Sequence, residues 1–371
     1  MSQLIHGGDI VTASAQYGVP VDDWIDLSTG INPCSYPLPS LGEHCFQQLP
    51  YQTDAFKDAV TAYYGVTDFL ACNGSQHVIE CLPGFLPSHP VLLPDLGYQE
   101  HRDSWQKKSA ECCFYSADDY DQSVSVIEQR LAEGKPFHLV VINPNNPTGL
   151  SFSAEKLMYW AEQMPEGGYL IIDEAFIDLK PEQSLLSDYD AFTRLNNLWV
   201  LRSFGKFFGL AGVRLGFLFG PSDLLKTISG HLGPWAVNGP AQAIAVSALN
   251  DSSWQQTARM RIQQNSDAML ELFKPLFHKV FSRGEDLIET DISKMGNAGL
   301  FNSGWIESSL ANQLYDFFAQ RGVLVRVIDG NDLAPQRAGY SLLRLGIVDK
   351  NDAAVTEKLQ QVISEYILTL D

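Results

Sequence analysis

The chain has 371 residues, a formal net charge of −19 and 45% hydrophobic residues. This length exceeds what one hydrophobic core supports, so we expect two domains. The acidic balance argues against a surface for nucleic acid or for an anionic membrane, because both require clustered Lys and Arg. No apolar run approaches the roughly 18 residues of a membrane span, and the N-terminus lacks signal-peptide features. We therefore expect a cytoplasmic globular protein that binds neither nucleic acid nor membrane.

Six cysteines form no Cys-x-x-Cys pair, and a cytoplasmic chain of this size does not need disulfides. We expect these cysteines to be reduced. The nearest approach to a metal-ligand spacing is Cys72 with His77 and Cys81. A loop that leads into a helix explains this spacing better, so no metal site is predicted.

Residues 54 to 254 alternate apolar strand-like runs with amphipathic stretches, the pattern of a mostly parallel sheet covered by helices. Asp54 is predicted to cap a helix that stops at Gly65, and Gly74 opens another helix. Four short runs are continuous, apolar and rich in β-forming residues, which predicts buried strands. They are 91–93, 139–142, 169–172 and 198–201.

Polar or glycine-rich residues follow each predicted strand, at 95–98, 143–149, 173–176 and 202–206. Ligands of open α/β sheets bind at the carboxyl ends of the strands, so these four segments should converge on one site.

After residue 254 the pattern changes to a long helix over 255–273, alternating segments near 299–305, 323–327 and 342–345, and an amphipathic helix over 352–368. We predict an α/β fold with a large domain over 46–254, whose mostly parallel sheet lies between helices. A smaller α+β domain comprises 1–45, with an N-terminal arm, and 255–371.

The most informative segment runs from Ser203 to Gly216 and contains Lys206 and Arg214. A lysine soon after a buried strand, with a serine three residues before it and an arginine eight residues after it, suits an aldehyde cofactor that carries a phosphate. The lysine amine attaches to the aldehyde, while Ser203 and Arg214 bind the phosphate. A solvated surface cation is the alternative for any single lysine.

This segment resembles the Ser-x-x-Lys…Arg signature of the fold-type-I pyridoxal-phosphate (PLP) enzymes, aminotransferase classes I and II. The NPNNPTG run at 143–149 is similar to the family's NPxNPTG turn, and the DEAF run that begins at Asp173 is similar to its D-E-A-[FY] strand end. The resemblance implies PLP fold type I, pyridoxal 5'-phosphate as cofactor and Lys206 as the catalytic lysine. It also implies that Asn146 bonds the cofactor's phenolic oxygen.

The carboxylate of Asp173 suits a direct role in the cofactor's chemistry. A carboxylate paired with the pyridine nitrogen keeps that nitrogen protonated, and the cationic ring then withdraws electrons from the substrate's Cα. A cap or turn aspartate is the alternative, but the position after a buried apolar run favours the catalytic interpretation. Phe176 departs from the tyrosine of many transaminases and lacks a hydroxyl for the cofactor's phenolate.

Further positions complete the cofactor site that the resemblance implies. Gly74, Ser75 and Gln76 begin a helix and offer N–H groups to the phosphate. Tyr98 stands where the family places a ring that stacks on the cofactor, with a structural aromatic as the competing interpretation. Tyr51 resembles the tyrosine that reaches the neighbouring subunit's PLP phosphate, which implies a homodimer with shared active sites. A core tyrosine is the alternative.

Three further segments, two near the N-terminus and one late in the predicted large domain, resemble one subgroup of this family, the threonine-phosphate decarboxylases of cobalamin biosynthesis. The similar segments are HGGD at 6–9, WIDLSTGINP at 24–33 and GPWAVN at 233–238. This resemblance implies that His6, Gly7 and Gly30 contact the substrate, with the two glycines after His6 allowing close approach to its phosphate. A frayed terminus is the alternative for 6–8.

Two arginines complete the implied substrate site. Arg344 matches the family's carboxylate-binding arginine, and Arg326 would point toward the substrate phosphate unless it is a surface residue.

The implied reaction converts L-threonine O-3-phosphate to (R)-1-amino-2-propanol O-2-phosphate and carbon dioxide. An aminotransferase similar to histidinol-phosphate aminotransferase would use nearly the same residues, because only the Cα bond held perpendicular to the cofactor ring differs. A PLP-binding regulatory protein would not need Lys206, Asp173 and Arg344 together.

Overall fold

The computed structural model describes residues 6–281, 295–330 and 337–370. Its strands are β1 Ile25–Asp26, β2 Phe69–Cys72, β3 Val91–Pro94, β4 Cys112–Tyr115, β5 His138–Ile142, β6 Tyr169–Asp173, β7 Leu198–Ser203, β8 Gly216–Phe219, β9 Gly296–Asn297, β10 Phe301–Glu307, β11 Val323–Leu324, β12 Arg326–Asp329 and β13 Tyr340–Gly346. Its α-helices are α1 Ile10–Tyr17, α2 His44–Gln47, α3 Asp54–Tyr64, α4 Ser75–Cys81, α5 Gln99–Lys107, α6 Tyr120–Ala132, α7 Ala154–Gln163, α8 Tyr189–Thr193, α9 Phe204–Phe207, α10 Ser222–Leu232, α11 Gly239–Asn250, α12 Ser252–Phe281, α13 Ser308–Ala319 and α14 Ala353–Thr369.

The chain divides into two compact units. The large unit comprises 35–146 and 150–257, and the small unit comprises 1–34, 147–149 and 258–371. The domain limits expected from sequence, 46–254 against 1–45 and 255–371, stay a prediction. Within the described ranges, no helix is both long and apolar enough to cross a membrane.

A seven-stranded sheet forms the centre of the large unit, in the order β2-β8-β7-β6-β5-β3-β4. Neighbouring strands from β7 to β4 run parallel, whereas β8 is antiparallel to both β7 and β2. The four predicted strands are all present as β3, β5, β6 and β7. Their apolar residues are buried on both sheet faces, as a parallel sheet covered by helices requires. The predicted α/β fold is confirmed.

Strand register brings the polar strand ends to one edge of this sheet. Ile142 pairs with Asp173, and Asp173 pairs with Leu201. The carboxyl ends of β5, β6 and β7 are therefore level, and the residues that follow them start from the same edge.

The start of α3 differs from prediction by one residue. Thr53, not Asp54, caps the helix, because Thr53 has extended backbone angles and its hydroxyl accepts a hydrogen bond from the Phe56 N–H at 3.2 Å. Asp54 lies in the first turn, where its charge favours the helix dipole. Threonine and aspartate are both good caps, so local sequence did not separate them. Gly65 ends the helix at φ 77°, as predicted.

The small unit contains an antiparallel sheet in the order β12-β13-β10-β9 and a parallel pair, β1 with β11. The single segment expected at 323–327 is wrong: β11 and β12 are separate strands in different sheets, divided at Val325. The helix expected over 255–273 is longer, as α12 shows. Asp352 caps α14 by accepting from the Val355 N–H at 3.1 Å.

His138 makes the stability of the large unit depend on pH. Its side chain is 0% exposed, and Nε2 lies 2.8 Å from the Pro87 carbonyl oxygen. Burial lowers its pKa from 6.5 to about 4. Between these values the unfolded chain binds a proton that the folded chain does not, so the free energy of unfolding should fall as pH falls from 6.5 toward 4. At pH 5 the expected loss is about 2 kcal/mol.

The measurement is urea unfolding at pH 7.5 and pH 5 for wild type and His138→Gln. On acidification, the free energy of unfolding of the variant should fall by about 2 kcal/mol less than that of the wild type. His278→Gln, which changes an exposed histidine of α12, is the matched control and should keep the wild-type dependence. If wild type and His138→Gln show equal pH dependence, His138 is not the source of the loss of stability at low pH.

Candidate active site

A pocket lies at the carboxyl ends of the parallel strands in the large unit. Nine residues expected from sequence at the cofactor line it: Gly74, Ser75, Gln76, Tyr98, Asn146, Asp173, Ser203, Lys206 and Arg214. Apolar side chains, including Ile142, Phe176 and Leu215, supply further parts of its wall. The structure thus brings the four strand-end segments together, as the sequence predicts.

Lys206 is held by the aromatic residues around it. It lies in α9, where Phe204 and Phe207 are 0% and 1% exposed. Phe208, which follows α9, stacks on Phe204 with ring centroids 4.5 Å apart. The Lys206 Nζ lies 5.7 Å from the centroid of the Phe176 ring. A rigid backbone therefore presents the amine to the pocket beside the ring that replaces the tyrosine of many transaminases.

Another group of pocket residues suits a phosphate. Arg214 has a left-handed backbone at φ 55°, an uncommon state for a residue other than glycine. A Cβ on Gly74 would lie 2.6 Å from the Arg214 Nη2, and one on Gly216 would overlap the Ser75 backbone nitrogen. Glycine at both positions lets the start of α4, the guanidinium and β8 approach closely. The phosphate of PLP fits this group of donors, which consists of the Arg214 guanidinium, the N–H groups at the start of α4 and the Ser203 hydroxyl.

Asp173 is 3% exposed and held at both oxygens. Its Oδ2 lies 2.9 Å from the His101 Nε2, and its Oδ1 accepts from the Ala175 N–H at 3.0 Å. Sequence reasoning missed His101, which is 4% exposed in α5. The one local signal is its position three residues after Tyr98, at the start of the same helix. The carboxylate is therefore oriented before any ligand binds, as the pairing with a pyridine nitrogen predicted from sequence would require.

Tyr98 contributes a fixed ring to the pocket. Its hydroxyl donates to the Gln76 Oε1 at 2.8 Å, and its ring packs edge-on to His101 with centroids 6.4 Å apart. Burial raises the pKa of the Tyr98 hydroxyl, which keeps it protonated as a donor. The ring is therefore held by Gln76 and His101, and its stacking on a planar cofactor stays a prediction.

The asparagines of the NPNNPTG turn have different surroundings. The Asn143 Oδ1 accepts from the Phe152 N–H at 2.7 Å, and the Asn145 Nδ2 donates to the Leu96 carbonyl oxygen at 3.0 Å. These bonds hold the turn against its neighbours. Asn146 lines the pocket, where the resemblance places its contact with the cofactor.

A buried ion cluster joins the ends of β6 and β7. Arg202 donates to Glu174 at 3.3 Å and to Asp178, and none of the three residues is more than 2% exposed. Burial raises the pKa of the Glu174 carboxyl. Because Glu174 follows Asp173 and Arg202 precedes Ser203, the cluster fixes the spacing of the two strand ends that line the pocket.

A second candidate site lies within the small unit. Arg326 and Arg344 stand directly opposite each other on β12 and β13. Arg344 is 7% exposed, and burial together with the cation of Arg326 lowers its pKa to about 10. Burial also lowers the pKa of Arg326. Each cation disfavours the charged state of the other, and the nearby Asp26 carboxylate opposes this effect at Arg344.

The N-terminal segment reaches the same cluster through Ser28, a residue that sequence reasoning did not assign. The Gly8 N–H donates to the Ser28 Oγ at 2.7 Å, and the Arg344 Nη2 donates to the Ser28 carbonyl oxygen. A Cβ on Gly7 would overlap that oxygen. Only glycine fits at position 7, and Gly7 and Gly8 are both held against Ser28. His6 is exposed and Gly30 is buried.

Tyr51 lies outside the pocket of its own chain. It is 65% exposed, and its ring packs edge-on to Trp235 with centroids 6.1 Å apart. Several other large apolar side chains in the same unit are also exposed, namely Leu38, Phe46, Leu49 and Trp235. The interpretation of Tyr51 as a core residue is therefore wrong, because its side chain is open to solvent.

Comparison with known proteins gives concordant results. The family model "Aminotransferase class I and II" matches residues 39–291. A threonine-phosphate decarboxylase of Pseudomonas aeruginosa is 36% identical over 327 residues, which cover 87% of this chain and 89% of the relative. A histidinol-phosphate aminotransferase of Archaeoglobus fulgidus is 30% identical, with 59% of this chain and 62% of the relative covered.

The fold also has solved counterparts. The crystal structure of histidinol-phosphate aminotransferase from Sinorhizobium meliloti in complex with pyridoxal 5'-phosphate superposes with a TM-score of 0.73 at 17% identity. The match covers 100% of this chain and 96% of the other. At this identity the likeness shows the fold, which is PLP fold type I.

Proposed function

We propose that this chain, which belongs to the aminotransferase class I and II family, is a threonine-phosphate decarboxylase. Its cofactor is pyridoxal 5'-phosphate. One observation carries the choice of substrate: the partly buried Arg326 faces the buried Arg344, and Arg344 is joined to the glycine-rich N-terminal segment through Ser28. This arrangement suits a substrate with two anionic groups. The relative that covers most of the chain at 36% identity bears the same name.

The cofactor, when bound, supplies a cationic ring that withdraws electrons from the substrate's Cα. Asp173, oriented by His101, holds the proton on the ring nitrogen. Lys206 delivers a proton to Cα after carbon dioxide has left. Arg344 binds the substrate carboxylate. His6, the Gly7 backbone, Gly30 and Arg326 bind the substrate phosphate end, and this remote binding energy orients the bond to be cleaved.

Incubation of the PLP-loaded protein with L-threonine O-3-phosphate tests the proposal. Carbon dioxide and keto acid are measured in parallel. Carbon dioxide equal to the substrate consumed, with (R)-1-amino-2-propanol O-2-phosphate as product, is the expected result. Conversion of histidinol phosphate and 2-oxoglutarate to glutamate, with no carbon dioxide from threonine phosphate, would instead establish the aminotransferase alternative.

The phosphate contacts should decide substrate choice. The double variant His6→Ala/Arg326→Ala should lower kcat/KM for threonine phosphate at least about a hundredfold, because each charge-assisted hydrogen bond contributes about 1.5–3 kcal/mol. Cofactor absorbance should be unchanged. His278→Ala/Arg321→Ala replaces the same residue types elsewhere in the small unit and should retain wild-type kinetics. A double variant as active as this control would remove both residues from the substrate site.

We also propose a homodimer in which Tyr51 reaches the partner subunit's cofactor phosphate. The exposed rings of Tyr51 and Trp235, which pack against each other, support a contact surface in this region. Sedimentation velocity should give twice the 41.2 kDa chain mass. A monomer that decarboxylates at the full rate would contradict shared active sites.

We further propose a cytoplasmic location. Recovery of the native protein in a membrane or secreted fraction would contradict this location.

A further inference from the structure

One row of residues crosses the small sheet at the level of the two arginines. Arg326 pairs with Arg344, Arg344 with Ser303, and Ser303 with Gly296. Directly paired residues of antiparallel strands project from the same face, with Cβ atoms about 4.5–5.5 Å apart. Ser303 therefore stands beside Arg344 on the face that carries both arginines.

The hydroxyl of Ser303 is in an unusual state for a buried polar group. The residue is 2% exposed, and its Oγ has no hydrogen-bond partner within 6–281, 295–330 and 337–370. Burying a hydroxyl without a partner is unfavourable, and buried polar groups in folded proteins are generally satisfied. A partner that arrives with the substrate explains why serine occupies this place.

Close backbone packing surrounds Ser303 on the side of Gly296. A Cβ on Gly296 would overlap the Thr148 carbonyl oxygen and would lie 2.7 Å from the Ser303 Oγ, so only glycine fits at this end of the row. Phe301 projects from the same face two residues before Ser303, and its ring centroid lies 5.3 Å from the Arg344 Cζ. The guanidinium and the hydroxyl thus share one apolar support.

We propose that Ser303 is a substrate-binding residue whose hydroxyl donates a hydrogen bond to the carboxylate that Arg344 binds. This inference rests on the proposed function. A guanidinium fork grips a carboxylate through two parallel N–H bonds. A further donor on one side restricts its rotation, and the orientation of the Cα–carboxylate bond decides whether carbon dioxide or a proton leaves Cα. Ser303 therefore contributes both to binding and to reaction specificity.

Ser341 offers a matched control in the neighbouring strand. It is also 2% exposed, but its Oγ lies 2.8 Å from the Ser308 Oγ. Three positions separate Ser341 from Arg344 along β13, so its side chain projects from the opposite face. Ser341→Ala removes a buried hydroxyl from the same sheet without touching the row that contains Arg344.

The experiment compares Ser303→Ala with Ser341→Ala in the PLP-loaded enzyme. Three quantities are measured: KM for threonine phosphate, the inhibition constant of 1-amino-2-propanol O-2-phosphate, and the ratio of carbon dioxide to keto acid. Ser303→Ala should raise KM about tenfold or more and increase the share of keto acid. Binding of the product should be unchanged, because the product has no carboxylate. Ser341→Ala should match wild type in all three.

Two results would overturn the assignment. One is a Ser303→Ala enzyme whose KM and product ratio equal those of Ser341→Ala. The other is an equal weakening of substrate and product, which would indicate general distortion of the sheet. Failure of the proposed function looks different, since wild type would then release no carbon dioxide from threonine phosphate. The two variants would in that case be compared in KM for glutamate, whose α-carboxylate would bind the same arginine.

Discussion

Replacing Lys206 with alanine is expected to lower carbon dioxide release from threonine phosphate by at least about 10⁴-fold, the upper range for a positioned proton donor. The variant also loses the amine that attaches to the cofactor. Noncovalent cofactor should remain, because Ser203, Arg214 and the start of α4 line the same pocket independently of the lysine. The loss should therefore fall on kcat rather than on cofactor content.

Borohydride reduction followed by mass spectrometry separates the two roles. Wild type should carry the cofactor covalently at Lys206, whereas Lys206→Ala should release it on denaturation. Lys226→Ala, which removes an exposed lysine side chain of α10, is the matched control and should behave as wild type. Turnover by Lys206→Ala above a trace would exclude Lys206 as the essential amine.

Replacing Asp173 with asparagine is expected to lower kcat by about 10³-fold. A neutral amide cannot stabilise the proton on the ring nitrogen, so the ring no longer acts as a cationic electron acceptor. The two side chains have nearly the same volume, and the contact with His101 can persist through the remaining oxygen. The fold should therefore survive, and the effect should appear in the chemical step.

The protonation state of the ring nitrogen provides a direct measurement. Nitrogen-15 NMR of labelled cofactor should report a protonated ring in wild type and a neutral ring in Asp173→Asn. Asp190→Asn changes an exposed aspartate of α8 and serves as the control. A near-normal rate in Asp173→Asn, or a ring that stays protonated, would remove Asp173 from the mechanism.

Local sequence determined the parts of this protein that depend on short-range chemistry. Short continuous apolar runs that are rich in β-forming residues favour strands buried on both faces, so β3, β5, β6 and β7 were predictable without neighbours. Parallel strands place their carboxyl ends at one edge, which is why Tyr98, Asn146, Asp173 and Lys206 were expected together and do line one pocket.

Tertiary structure decided the contacts between residues that are distant in the chain. His101 and Asp173 are 72 positions apart, and Ser28 and Arg344 are 316 apart, so no local pattern relates them. Strand register alone set Ser303 beside Arg344, because a shift by one residue would turn the hydroxyl to the opposite face. The chemical groups could thus be read from sequence, whereas the residues that orient them depend on packing between elements far apart in the chain.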